Sequence, residues 1–600
     1  MFARMPLRSL SLRFALILLL TLTVLQSVPA HARTMAAEHT LTVTSPLVQQ
    51  REPVTVYIAT VTRVSTFDPQ VAEDTHSVTP IENLFLGLTD IDPFTNTIRP
   101  EMAIAWEQSE DGTVWTYTLR DDVPWVRYDP ATGETTRLGV VTAHDFVYGI
   151  RRACDPRTGG YYSTIAAAII EGCAEALGMP LDEITTSTFD SVGVEALSDI
   201  QLRVTLRSAL SFWESTSGMW MFRAVPREAI DAFGDRWTEP GNIVTNGPYM
   251  LEAFDPGVSR VFVANPYFPE GVSDRYGGNI ERLEIIAVDS PTTVFSLYEA
   301  NESDIAPVPG SELDRIRRDR ILSQELRQRA ALTVYYFSFS YDRPPFDNVH
   351  ARRAFSAVID RAALVDGARQ GQGIPMAHFV PPGLFGAVPV NEIGVGQPDT
   401  PGMDLDYARE QLALAGFPDC EGLPEIRIFT FIGAAAWAET LQDALQTHLG
   451  CDGSRLVIEE LEFTVLLRTT SPDTPTPERP HLWTYGWVPD YPDANNYFHD
   501  VLSCQAENAF KRPCDDRLDG MIEAARAETD AARRVQLYRE LEEAFFGYDG
   551  EFTIAPLFMT ITTFMVKPWY SGPFETDGLF GGQHWDAYRI DQEAQRAARP

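Results

Sequence analysis

The chain is expected to be an α/β protein of the mixed α+β kind. Alternating, β-rich segments and helically spaced segments succeed one another along its whole length. Hydrophobic residues make up 44% and charged residues 22% of the 600 positions, an ordinary globular composition that excludes wholesale disorder. No fixed-period repeat runs through it. At about 150 residues per domain, the length suggests about four units, or fewer large ones.

The first strand is Val54 to Ala59, where residues alternate and are β-rich. Pro80 to Leu88 has helical spacing. Trp115 to Leu119 alternates as a strand after the Asp111-Gly112 turn signal. Thr142 caps a helix, with Asp145 at the capping-box position. Asp199 to Leu206 reads as a strand. Asn246-Gly247-Pro248-Tyr249 is a tight turn feeding a strand from Met250 to Phe254. A strand at Leu283 to Val288 precedes a helix at Pro291 to Ala300. From Val334 to Tyr341 aromatics alternate strictly, with Tyr336 and Ser338 on one face and Phe337 and Phe339 on the other. Asn348 to Asp360 is helical. Tyr407 to Ala415 is a short helix stopped by Gly416. Strands at Ile426 to Phe431 and Val457 to Leu461 flank a helix at Ala434 to Leu449. Residues 471–480, rich in Pro and Thr, form a loop. Met521 to Phe546 has the spacing of one long amphipathic helix.

Residues 1–32 have the pattern of a secretory signal. Arg4, Arg8 and Arg13 precede the apolar run Phe14 to Leu25, and Ala30-His31-Ala32 is a small-residue cleavage pattern. Loss of those three Arg takes the net charge from -36 to -39. Nothing in so acidic a chain supplies a counter-charge for phosphates, so nucleic acid is excluded as a partner. The six Cys suit an oxidising compartment. They fall into three sequence-local pairs, Cys154 with Cys173, Cys420 with Cys451 and Cys504 with Cys514. Other connectivities are open, and local pairing is the simplest.

There is no G-x-S-x-G, no H-E-x-x-H, no P-loop and no C-x-x-C. The ten His are scattered, and no two of them beyond the signal lie three or four residues apart. No metal, cofactor or catalytic group is therefore expected. Paired carboxylates of the glycosidase kind stay open, because their spacing is spatial rather than sequential.

Seven stretches, in chain order, carry a resemblance. They are Ala103-Ile104-Ala105-Trp106 with Asp111-Gly112-Thr113-Val114-Trp115-Thr116-Tyr117, then Thr142-Ala143-His144-Asp145-Phe146, then Thr245-Asn246-Gly247-Pro248-Tyr249. There follow Asn265-Pro266-Tyr267, Pro345-Phe346-Asp347-Asn348-Val349, Phe379-Val380-Pro381-Pro382-Gly383 and Gly486-Trp487-Val488-Pro489-Asp490-Tyr491. The series resembles the extracytoplasmic solute-binding proteins of peptide ABC importers, the family 5 oligopeptide- and dipeptide-binding proteins. Phe233-Gly234-Asp235-Arg236-Trp237-Thr238 is similar to the oligopeptide branch.

The resemblance implies a periplasmic-binding-protein-like fold: two lobes around a ligand cleft, with an additional domain on the first lobe. Domain I would comprise 33–95, 220–330 and 561–600, domain II 96–219, and domain III 331–560. Each of the three Cys pairs would then lie within one domain.

It also implies where a ligand sits. A peptide's α-ammonium wants a buried carboxylate, and Asp490 matches the family's anchor. Trp487 and Phe463 match pocket aromatics, with plain core packing as the alternative reading, and Tyr485 lies between them. Tyr162 falls where a cleft tyrosine is expected. Glu73 to Val78 would offer an edge to the peptide backbone. Asn246 and Gly247 would sit at the inter-lobe turn, where a purely structural role is equally open. One departure stands out: Thr484 occupies a position where oligopeptide binders often carry a basic residue. The implied function is capture of short peptides in the periplasm by a monomer that delivers them to the permease subunits of an inner-membrane ABC transporter. Another solute (an oligosaccharide, metal complex or haem) or a secreted hydrolase are the alternatives.

Overall fold

The structure is a computed structural model that describes residues 51–600 apart from 161, 270, 273–276, 391, 398–399, 472–473, 507–511, 580–581 and 600. The expected signal at 1–32 lies outside the described residues. Among the described residues, no helix is long and apolar enough to cross a membrane.

Three sheets organise the chain. The first has Thr55–Thr60 parallel to Arg282–Ala287, followed by antiparallel Ser259–Ala264 and Tyr249–Asp255. The second is antiparallel: Ala103–Gln108, Val114–Leu119, Gln201–Thr205 and Val194–Ser198. In the third and largest, Ile305–Pro307, Ile554–Val566, Leu326–Phe339, Leu482–Trp487, Ile426–Phe431 and Leu456–Leu461 lie in that order. Gly373–Pro375 also pairs with Ile554–Val566. Leu482–Trp487, Ile426–Phe431 and Leu456–Leu461 run parallel. Their crossovers contain the helices Ala435–Leu449 and Phe463–Thr470, as parallel pairing requires.

The aromatic alternation at 334–339 explains how this sheet is buried. Phe337 and Phe339 enter the core on one face, with Trp437 and Leu441. Val334 and Tyr336 enter the core on the other, with Phe379 and Tyr497. Each such side chain contributes about 1.5–3 kcal/mol by leaving water. A separate core fills the first two sheets and takes in Trp569, Tyr570, Trp585 and Tyr588 from near the C-terminus.

Two long strands, Leu326–Phe339 and Ile554–Val566, run antiparallel over most of their length. The ladder shifts register twice, between Ala330 and Val334 and again between Tyr335 and Tyr336; the first shift is the larger. Ala330 faces Ile561 and Val334 faces Met559, so three residues oppose one. Leu332, within the bulge, has φ of 55°. A branched residue enters that left-handed region at a cost. The Tyr497 hydroxyl donates to the Leu332 carbonyl at 2.6 Å and holds it there.

The disulfides pair as the sequence suggested: Cys154–Cys173, Cys420–Cys451 and Cys504–Cys514. Two elements differ from expectation. The first helix is Thr75–Leu84 rather than 80–88, because the Asp74 carboxylate caps it through the N–H groups of His76 and Ser77. The long helix expected over 521–546 is two, Asp516–Ala527 and Ala531–Phe546. Asp530 caps the second, accepting from the Arg533 N–H at 2.8 Å.

Candidate functional site

The strand Leu482–Trp487 positions the site. Its alternation places Trp483, Tyr485 and Trp487 on one face and Thr484 and Gly486 on the other. Gly486 is required because Tyr335 lies against it; a Cβ there would come within 2.6 Å of the Tyr335 ring. Thr484 faces Phe337 and is fully buried. Its hydroxyl accepts from the Phe431 N–H at 3.4 Å. The position where oligopeptide binders often carry a basic residue is therefore in the core.

Beyond Trp487 the chain turns and Asn496 organises it. The Asn496 carbonyl accepts from the Trp487 indole N–H at 2.8 Å and from the Asp490 N–H at 3.1 Å. Its amide donates to Asp490 Oδ2 at 3.1 Å and to Asp500 Oδ2 at 2.8 Å. The Tyr162 hydroxyl, from another part of the chain, donates to Asp490 Oδ1 at 3.1 Å. Tyr162 is itself fixed edge-on against Trp220, centroids 4.8 Å apart.

Both Asp490 oxygens thus meet neutral donors, and among the described residues no cation pairs with it. Burial pushes its carboxyl up to about 6, and the Asp500 charge adds to this against the Asn496 and Tyr162 hydrogen bonds. A largely buried carboxylate without a counter-cation is suited to receive one.

Asp490, Tyr491 and Pro492 form one wall of a crevice, opposite Trp220, Arg223 and His584. Behind the lining, Phe212 stacks on Tyr491 with centroids 4.8 Å apart and planes at 5°. The charged groups opposite are paired with one another, while the buried Nε of Arg223 has no partner among the described residues. Arg223 gives its Nη groups to the Glu82 carboxylate and the Phe85 carbonyl. His584 lies between Asp577 at 2.7 Å and Asp90 at 3.1 Å. Burial opposes its charge, but the two carboxylates outweigh burial and raise its pKa well above the usual value. Glu82 is pushed up to about 7 and Glu101 to about 8, in both cases chiefly by burial.

Among the residues expected at the site, Asp490, Trp487 and Tyr162 come together. Tyr485 lies on the Trp487 face, and Phe463 stacks on Tyr485 with centroids 6.2 Å apart and planes at 17°. Of the expected residues Asp490 alone lines the crevice; Trp487, Tyr162, Tyr485, Phe463, Asn246 and Gly247 lie behind or outside its lining. The Asn246 side chain accepts from the Leu86 N–H at 2.8 Å, and both backbone N–H groups go to the Leu84 carbonyl. A Cβ on Gly247 would meet the Asn83 carbonyl at 2.4 Å. The pair locks the end of the first helix to the strand Tyr249–Asp255. The backbone edge expected at Glu73 to Val78 is a correction: from Thr75 onward it is helix, its first N–H groups taken by Asp74. Asn496, Trp220, Arg223 and His584 carried no motif signal. Their roles come from tertiary contacts between segments far apart in sequence.

The description "Bacterial extracellular solute-binding proteins, family 5 Middle" matches residues 97–509. The periplasmic oligopeptide-binding protein OppA of Escherichia coli K12 is 26% identical over 534 residues, covering 86% of this chain and 89% of that one. The probable deoxycholate-binding periplasmic protein YgiS of the same strain is 26% identical over 513 residues, covering 84% and 88%. Among solved structures, Haemophilus influenzae OppA in complex with RPPGFSPFR superposes with a TM-score of 0.66 at 22% identity, covering 90% of this chain and 99% of that one. That likeness is one of fold.

Proposed function

The chain belongs to the family 5 bacterial extracellular solute-binding proteins, and from that premise we propose that it captures short peptides by their free α-ammonium group at Asp490. The observation that carries this reading is the Asp490 carboxylate: largely buried, held by Tyr162 and Asn496, and without a cation of its own. An ammonium ion would supply the missing charge through a charge-assisted hydrogen bond. No bond is made or broken.

Closure follows from where the contacts originate. Domains I (33–95, 220–330 and 561–600) and II (96–219) carry Tyr162, Trp220 and Phe212. Domain III (331–560) carries Asp490 and Tyr491. The hinge is the pair of long strands, which cross between domains at the Leu332 bulge. A ligand touching both walls favours the closed arrangement by its differential affinity for it. The closed, loaded monomer works in the periplasm and passes its peptide to the permease subunits of an ABC transporter.

The ligand's carboxyl end meets no dedicated cation in this reading. Thr484 is in the core, and the Nη groups of Arg223 and both nitrogens of His584 are engaged. Calorimetry with tri-alanine, its N-acetyl form and its C-terminal amide tests this. Acetylation should weaken binding at least about tenfold, or about 1.4 kcal/mol, and amidation should change it less than about threefold. Equal affinities of the free and acetylated peptides would remove Asp490 as the ammonium anchor.

A further inference from the structure

A second cavity, of about 740 Å³, shares no lining residue with the crevice at Asp490. Its size suits a small organic molecule. The helix Ala143–Ala153 supplies Tyr148 and Arg151, one turn apart and so on one face. Arg227 comes from the helix Arg227–Phe233. Ile184 and Phe189 add apolar lining.

The charges here invert the balance of the chain. Acids outnumber Lys and Arg by 84 to 48 overall, yet this cavity gathers four Arg and three Asp. Two of the four Arg are fully engaged. Arg152 gives its Nη groups to the two Asp68 oxygens, each at 2.6 Å. Arg157 holds Asp155 through Nε at 2.9 Å and Nη2 at 2.6 Å. The other two Arg are held loosely. Arg151 reaches Asp190 by one contact of 3.4 Å, and its buried Nε has no partner among the described residues. Arg227 reaches Asp231 by one contact of 3.4 Å. The Asp190 and Asp231 side chains are 69% and 63% exposed, and exposed pairs of this kind contribute little. The Arg227 guanidinium lies over the Tyr148 ring, 5.5 Å from its centroid. Two weakly paired guanidiniums therefore flank one aromatic ring at the mouth of a roomy cavity.

We infer that this cavity is a separate binding site for a small monocarboxylate with an apolar body. Arg151 and Arg227 take the carboxylate, whose geometry a guanidinium matches. The body lies on Tyr148, Ile184 and Phe189, and leaving water supplies the rest of the affinity. The three Asp in the lining set the charge preference: they repel a polyanion, whereas one negative charge is balanced by the surplus Arg. The site stands independently of peptide capture at Asp490.

The test is calorimetry of the whole mature chain with octanoate, with octanol and inorganic phosphate as companions. Octanoate should bind at least about tenfold more tightly than either. Arg151→Met and Arg227→Met should each weaken octanoate at least about fivefold and leave tri-alanine affinity unchanged. They lie on different helices, so one repeats the test if the other folds poorly. Saturating tri-alanine should not displace octanoate, and Asp490→Asn should retain it. If octanoate does not bind, or octanol or phosphate binds as tightly, the site is refuted. Displacement of octanoate by tri-alanine, or full octanoate affinity in both Arg variants, would place the acid elsewhere and refute it too. If tri-alanine fails to bind while octanoate behaves as expected, the peptide reading falls and this site stands.

Discussion

Acidification should weaken ligand binding by an amount set by Asp490. Its carboxyl is raised to about 6 by burial, with the Asp500 charge adding. Only the ionised form offers a charge to an ammonium ion. The carboxyl's contribution is therefore nearly full by about pH 7, half lost near pH 6 and largely gone by about pH 5. About nine-tenths of the carboxyl is ionised at pH 7 and about one-tenth at pH 5. The ligand's α-amino group, with a pKa near 7.7–8.0, is roughly 85% protonated at pH 7 and essentially all protonated at pH 5. The product of the two fractions falls about ninefold between these values, or about 1.3 kcal/mol. Calorimetry of tri-alanine binding at half-unit intervals measures it. Asp490→Asn should bind weakly at every pH with a flat profile. That variant keeps His499, which meets Asp500 at 2.7 Å, so the difference between the two profiles isolates Asp490. Wild-type affinity that stays constant or rises from pH 7 to pH 5 would refute the reasoning.

Two further outcomes concern the folded chain without ligand. An acid whose folded pKa lies near 6 rather than 3.8 destabilises the folded state above that range, by roughly 2–3 kcal/mol, and ceases to do so below pH 4. Asp490→Asn should thus raise the melting temperature by roughly 1–3 °C at pH 7 and leave it nearly unchanged at pH 4; a fall at pH 7 would contradict this. Replacing Cys154 and Cys173 together by Ser opens a closure between residues 19 apart in sequence, which should cost about 3 kcal/mol and roughly 3 °C of melting temperature. A chemically reduced wild type should melt no higher than this double variant.

Much of the fold is legible in the sequence because period and capping are local. Val54 to Ala59, Trp115 to Leu119 and the aromatics at 334–339 alternate, and alternation needs only the burial of one face or two distinct cores to be read correctly. Thr142 with Asp145 is a local signature and forms the capping box expected of it. Helical spacing alone misplaces a helix boundary where it runs across a cap. Asp74 and Asp530 each start a helix through their own side chains, and the apolar periodicity around them does not register the break. The proposed anchor, Asp490, is legible only through its resemblance to a motif. Its setting was not: Asn496 and Tyr162 reach it from positions 6 and 328 residues away. The paired charges at Arg223, Glu82, His584 and Asp577 are likewise joined by the fold alone. The Asn246-Gly247 turn was correctly located, but its buried hydrogen bonds give it a structural task.

The most direct test of the central claim is native mass spectrometry of the mature chain equilibrated with a mixture of free-amine short peptides and their N-acetylated counterparts. The account predicts a ladder of retained free-amine peptides on the wild type, acetylated peptides largely absent, and the ladder lost in Asp490→Asn. Equal retention of acetylated peptides, or a single sugar or metal-chelate mass held in place of any peptide, would contradict it.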